Sequence, residues 1–141
     1  MKRSRPIENN KKDVVIPADG GSLYGILGIP HQARGVVIFA HGSGSGRFSP
    51  RNNFVAQILQ DAGIATLLGD LLEESESLNR QKVFDIDLLA NRLLSNAHWL
   101  RHLPDMQGLM IGYFGASTGA AAALQAAARE PIEIAAVVSR G

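Results

Sequence analysis

The chain contains no cysteine, which removes disulfides, thiolate metal sites and cysteine nucleophiles together. It has no surplus of either charge. Fourteen basic residues against 13 acidic ones leave +1, too little to draw the chain to a nucleic acid by its field. It also lacks long apolar runs: the strongest reach about six residues, far below the ~20 of a membrane-spanning helix. The segment Met1 to Pro6 has basic residues with no apolar stretch behind them, so it does not read as a secretory signal. These absences set the expectation of a cytoplasmic protein that meets neither nucleic acid nor membrane. What is present is the composition of an ordinary globular chain, 45% hydrophobic and 19% charged over 141 residues. That length suits one domain rather than two and can bury roughly 68% of its unfolded surface. A disordered chain is excluded.

Residues 1–12 are polar and basic and read as a loosely attached tail, with the domain over 13–141. Val14 to Ile16 is a short strand, Ala18 to Gly21 a turn, and Leu23 to Ile29 a second strand closed by Pro30. So short a glycine-rich connection predicts an antiparallel hairpin. Strands and helices then alternate. Val36 to Ala40 is apolar throughout, as expected of a central strand covered on both faces. A glycine-rich loop runs from His41 to Gly46, and Ser49-Pro50 offers a helix cap with proline at the first helical position. Phe54, Val55, Ile58, Leu59 and Ala62 recur at helical spacing up to Gly63. Ile64 to Leu68 is a third apolar strand, followed by a polar stretch with Glu73, Glu74 and Glu76 that reads as a solvated loop. The pattern predicts a long helix from Val83 to Leu103, buried along Ile86, Leu89, Leu93, Ala97 and Leu100. Then come a strand over Leu109 to Phe114, a helix over Thr118 to Arg129 ended by Pro131, and a strand over Ile134 to Val138. The fold class is therefore α/β, a mostly parallel sheet with an antiparallel amino-terminal hairpin.

The chemistry lies in Gly115-Ala116-Ser117-Thr118-Gly119, a G-x-S-x-G pattern that leaves a buried strand and opens a helix. A serine on so sharp a turn takes a strained backbone conformation with Oγ projecting above the sheet. Small residues two before and two after it keep the turn from colliding with itself. Ser117 is the candidate nucleophile, the bland reading being a helix-start residue between packing glycines. In acyl transfer one oxyanion donor is the N–H after the nucleophile, here Thr118, and the second comes from a loop after a neighbouring strand. The loop His41-Gly42-Ser43-Gly44 fits, with Ser43 the expected donor and Gly44 next to it. His41 reads as a residue that orders this loop rather than a general base.

Together these elements resemble the α/β-hydrolase superfamily, and within it the dienelactone-hydrolase-like group. The apolar strand with its His-Gly loop carries the likeness, as do Ser49-Pro-Arg-Asn52, Phe84 to Leu89, Phe114 to Ala120 and the closing Val137 to Gly141. The resemblance runs over nearly the whole chain from Val14 onward. It implies a serine or cysteine hydrolase of esters, lactones and related carbonyl compounds that needs no metal or cofactor. This chain has serine where dienelactone hydrolases carry cysteine.

The superfamily orders its triad as serine, acid, histidine. No histidine follows His102, and the acids beyond Ser117 are Glu130 and Glu133 at the far end of the sheet. Ser139 and Arg140 occupy the position after the last strand where some hydrolases place the acid. The expectation is thus the amino-terminal portion of the fold, truncated after the strand that follows the nucleophile helix. Hydrolysis of an ester or lactone through an acyl-enzyme would then be impaired, because a serine without a base is a weak nucleophile. The alternative is an inactive fragment or interaction module. The last strand would be a bare edge, covered by a second copy or a complementing chain. Other constellations are weaker. His98 and His102 have metal-ligand spacing but share a polar stripe with Asp87, Asn91 and Ser95. Gly42 to Gly46 lacks the spacing of a nucleotide-binding loop. Arg47 and Arg51 flank that loop as receivers of an anionic group or as exposed arginines near a helix start. Asp70, at the end of its strand, reads as a turn residue, with a place at the mouth of the site as the alternative.

Overall fold

A computed structural model describes residues 10–129 and 133–140. Most of the expected tail, Glu130, Pro131 and Gly141 lie outside the described residues. Strands β1 (Asn10–Ala18) and β2 (Gly21–Ile29) form the predicted hairpin around Asp19-Gly20. β1 starts earlier than expected: Lys11 pairs with Gly28 and Lys12 with Leu27, so the end of the expected tail is already strand. β3 (Gly35–Ala40), β4 (Ala65–Gly69), β5 (Met110–Ala116) and β6 (Ala136–Arg140) complete the sheet in the order β1-β2-β4-β3-β5-β6. β2 joins β4 antiparallel, and the β4-β3-β5-β6 part is parallel throughout.

The crossover helix α1 (Pro50–Asp61) leads from β3 to β4, whereas α4 (Ile86–Arg101) leads from β4 back across β3 to β5, and α5 (Thr118–Ala127) onward to β6. Right-handed crossovers running in opposite directions place α1 on one face of the sheet and α4 and α5 on the other. Alternate residues of β3 record both faces. Val36, Ile38 and Ala40 join the core under α4 and α5, while Val37 and Phe39 pack with Ala56 of α1. The chain leaves β3 towards one side and β5 towards the other. Their carboxyl ends therefore open a crevice, the place where sheets of this type bind ligands.

Three sequence expectations are corrected. In α1 the apolar residues do not all face inward: Phe54 and Ile58 are exposed, while Asn52, Ala56 and Gln60 are buried. Gln60 Nε2 donates to Thr66 Oγ1 at 2.6 Å, while its Oε1 is buried with no partner among the described residues. The long helix predicted from Val83 is broken, because Asp85 caps α4 by accepting from Leu88 N, and Arg80–Val83 is a separate turn, α3, capped by Asn79. Leu89, Leu93, Ala97 and Leu100 are buried as expected, with Ile86 only half so. Finally, the Glu73–Ser77 stretch is not a solvated loop. Glu74–Ser77 forms a one-turn helix, α2, and Glu76 is buried in a two-point ion pair with Arg92 of α4, at 2.7 and 2.8 Å. That pair holds its carboxyl down to about 2; the Arg92 hydrogen bond is the main cause and outweighs burial.

Candidate active site

Ser117 joins β5 to α5 with φ 58° and ψ −126°. Only one other described non-glycine residue, Gln32, has positive φ. Such a backbone costs of order 1–3 kcal/mol and persists only where its surroundings enforce it. Here they do so from both sides: Ser117 N–H donates to Arg140 O of β6 at 3.1 Å, and Ser117 O accepts from Ala120 N at 2.9 Å. The flanking glycines are sterically required. A Cβ on Gly115 would lie 2.5 Å from Gly119 O, and one on Gly119 would lie 2.5 Å from His41 O and closer still to Ala40 O. The serine itself is exposed.

The loop after β3 lies against this turn. A Cβ built on Gly42 would sit 3.0 Å from Ser117 Cβ and 3.6 Å from its Oγ. Ser43 is exposed at the loop tip and Thr118 is half-buried at the start of α5. Both border one cavity of ≈ 750 Å³. Of the three residues singled out in the sequence, Ser43 and Thr118 share that cavity, and Ser117 adjoins it through Gly42 and Thr118. The Thr118 hydroxyl is buried with no partner among the described residues.

His41 is buried, and both its ring nitrogens are engaged. Nε2 accepts from Leu71 N at 2.9 Å, so Nδ1 carries the proton and donates to Gly42 O at 2.9 Å. Burial lowers its pKa below 6.5, partly opposed by the Gly42 hydrogen bond and the nearby Asp70 charge. A neutral ring occupied at both edges ties the loop to the end of β4 and has no nitrogen left for Ser117. Asp70 provides the second tie, as its Oδ1 accepts from Arg47 N at 2.7 Å and its Oδ2 pairs with the Arg47 guanidinium. The sequence reading of Asp70 as a plain turn residue is corrected accordingly. Arg47, read either as a receiver of an anionic group or as an exposed arginine, has its charge paired with Asp70, and its guanidinium stacks over Phe48 at 4.2 Å and Tyr24 at 5.3 Å. Arg51 instead borders an adjoining groove with Phe54, Ala116 and Arg140, which shares Gly42, Ser45, Ser49 and Pro50 with the cavity.

No other described histidine approaches the serine. His98 of α4 and His102, which caps that helix, lie exposed side by side, rings 4.6 Å apart, and the described residues hold no group of three metal-ligating side chains. Glu133 precedes β6, whose far end, Arg140, meets the serine turn. No helix among the described residues is long and apolar enough to cross a membrane.

A strained serine between a parallel strand and a helix, with a glycine loop from the adjacent strand beside it, defines an α/β-hydrolase fold. Comparison with known proteins makes the kinship more specific. The structure of a dienelactone hydrolase from Anabaena variabilis superimposes with a TM-score of 0.88 at 52% identity, over 94% of this chain and 63% of that one. A dienelactone hydrolase-like promiscuous phosphotriesterase from metagenomic libraries gives 0.75 at 18% identity, over 93% and 58%, and supports the fold alone. The chain's structural neighbours are thus dienelactone hydrolase and related α/β-hydrolase esterases. Two Mycobacterium tuberculosis proteins, from strains CDC 1551 and H37Rv, are 53% identical over 130 residues and carry the provisional name phosphoribosyl transferase. The chain spans 29% of their length. No protein-family profile matches it.

Proposed function

We propose that this chain carries the nucleophile and oxyanion half of a serine hydrolase acting on small esters or lactones through an acyl-enzyme. The observation that carries the reading is the Ser117 backbone at φ 58° with the Gly42–Ser43 loop packed against it. Ser117 Oγ gives its proton to a base and attacks the carbonyl carbon. The carbonyl oxygen, now negative, turns towards the Ser43 and Thr118 amides and the amino end of α5. Collapse then breaks the C–O bond to the alkoxy group, which leaves as the alcohol with that proton. No metal or cofactor enters this step. Proton transfer is the weak link, since no described imidazole reaches Ser117. The acid and histidine would come from polypeptide other than residues 10–140. Until they are in place, turnover stands orders of magnitude below that of a complete triad. The same polypeptide would cover the β6 edge, where Val138 is exposed.

The phosphoribosyl transferase named for the mycobacterial relatives is a poorer reading of this portion. Among the described residues the arginine bordering the cavity is paired with Asp70, which neutralises its charge. A module without chemistry is the second reading, and the missing imidazole partner favours it. A fluorophosphonate probe separates the two. The hydrolase reading expects slow labelling that maps to Ser117, rises with added imidazole and disappears in Ser117→Ala. Labelling that persists in Ser117→Ala, or none on folded protein, sinks it.

A further inference from the structure

The cavity beside Ser117 has an unusual rim. Arg47 is its cation, and that cation is tied at several points: the backbone N–H and guanidinium Nη1 go to Asp70, the carbonyl accepts from Asn53 Nδ2 at 2.9 Å, and the guanidinium lies over Phe48 and Tyr24, with about a quarter of the side chain exposed. An anion entering here would compete with Asp70 for Arg47 and would also meet Glu74, the remaining carboxylate of the lining. In a partly desolvated site like-charge encounters of this kind are costly. The apolar side of the rim is the opposite. Phe48 and Tyr24 are 68% and 54% exposed, two ring surfaces beside an opening floored by Leu72 and Leu89. Exposed aromatic area at a cavity mouth is area a ligand can cover.

We propose that this cavity receives an uncharged aromatic or alicyclic group of the substrate, and that Asp70 sets this preference by neutralising Arg47. The substrate class is therefore a neutral aryl or cycloalkyl ester or lactone rather than one bearing a carboxylate on this side. The proposal takes the ligand's ester character from the hydrolase reading above. The charge selection itself rests on Arg47, Asp70 and Glu74 alone.

Two ketones that mimic an ester without being cleaved test it: 4-phenyl-2-butanone and 4-(3-oxobutyl)benzoate, which differ only by a ring carboxylate. Binding is followed by amide shifts of Gly42, Gly44 and Gly46 in the full chain. The neutral ketone is expected to bind at least about tenfold more tightly, a difference of ~1.4 kcal/mol. Asp70→Asn keeps an acceptor for Arg47 N but frees the guanidinium charge, and should shift the ratio about tenfold towards the carboxylate. Adding Arg47→Met should cancel that shift. Equal or tighter carboxylate binding by the wild-type chain overturns the proposal and needs no variant. So does an unchanged ratio in folded Asp70→Asn, or ligand shifts lying elsewhere. Because no bond is broken, the outcome is separable from the chemistry: a chain that resists fluorophosphonate yet discriminates the ketones refutes the hydrolase reading and keeps this one.

Discussion

Among the described residues Glu76 and Arg92 form the most buried ion pair, and their removal gives a sharply defined prediction. The pair fixes α2 to α4 and thereby one wall of the cavity, through Leu72, Glu74 and Ser77. In the unfolded chain Glu76 titrates near 4.5, and in the folded chain near 2. At ~1.36 kcal/mol per unit the interaction stabilises the fold by about 3 kcal/mol. The sign is that of a depressed carboxylate. The contribution is complete above pH 4.5 and is lost as pH falls towards 2. Urea unfolding of the wild-type chain should therefore weaken through that window by about 3 kcal/mol more than Glu76→Gln, whose residue 76 does not titrate. At pH 7, Arg92→Met leaves the buried carboxylate only the Glu73 N–H at 2.9 Å and Lys82 Nζ at 3.4 Å and should cost up to ~3–5 kcal/mol, a midpoint shift of up to about 1–3 M urea. If Glu76→Gln shows the wild-type pH slope, or Arg92→Met costs under about 1 kcal/mol, the pair does not hold this wall.

Other substitutions probe the elbow and its supports. Gly119→Ala drives a Cβ into the Ala40 and His41 carbonyls and should cost at least ~1–3 kcal/mol, read as a fall in Tm. His41, buried with a lowered pKa, stabilises the fold above pH 6.5 and loses that contribution as pH falls below it; His41→Gln should flatten Tm against pH between 7 and 5. Ser49 caps α1 by accepting from Asn52 N at 3.3 Å, so Ser49→Ala should cost ~0.5–2 kcal/mol in urea unfolding. The Tyr113 hydroxyl is buried with no described partner, and Tyr113→Phe should be neutral or stabilising by the same assay.

The sheet and the elbow were legible because their signals are local. An apolar run followed by glycines marks a buried strand and its loop, and G-x-S-x-G places its strain within five residues. What escaped the sequence depends on partners far along the chain. Asp70 acquires its role from Arg47, 23 residues away, and Glu76 from Arg92, 16 residues away. A run of acids looks solvated until the arginine opposite is known. The exposed face of α1 was misread for a related reason: periodicity gives the spacing of Phe54 and Ile58 but not the side the sheet occupies. The break before α4 was readable, since Asp85 stands as a cap ahead of the periodic residues.

The central claim is that the Ser117 oxygen faces two amide hydrogens prepared for an oxyanion. A crystal structure of the phosphonylated protein tests it directly. The account predicts a phosphoryl oxygen ~2.7–3.1 Å from both the Ser43 and Thr118 nitrogens. An adduct oxygen turned to solvent, or a 42–46 loop withdrawn from it, would contradict the account.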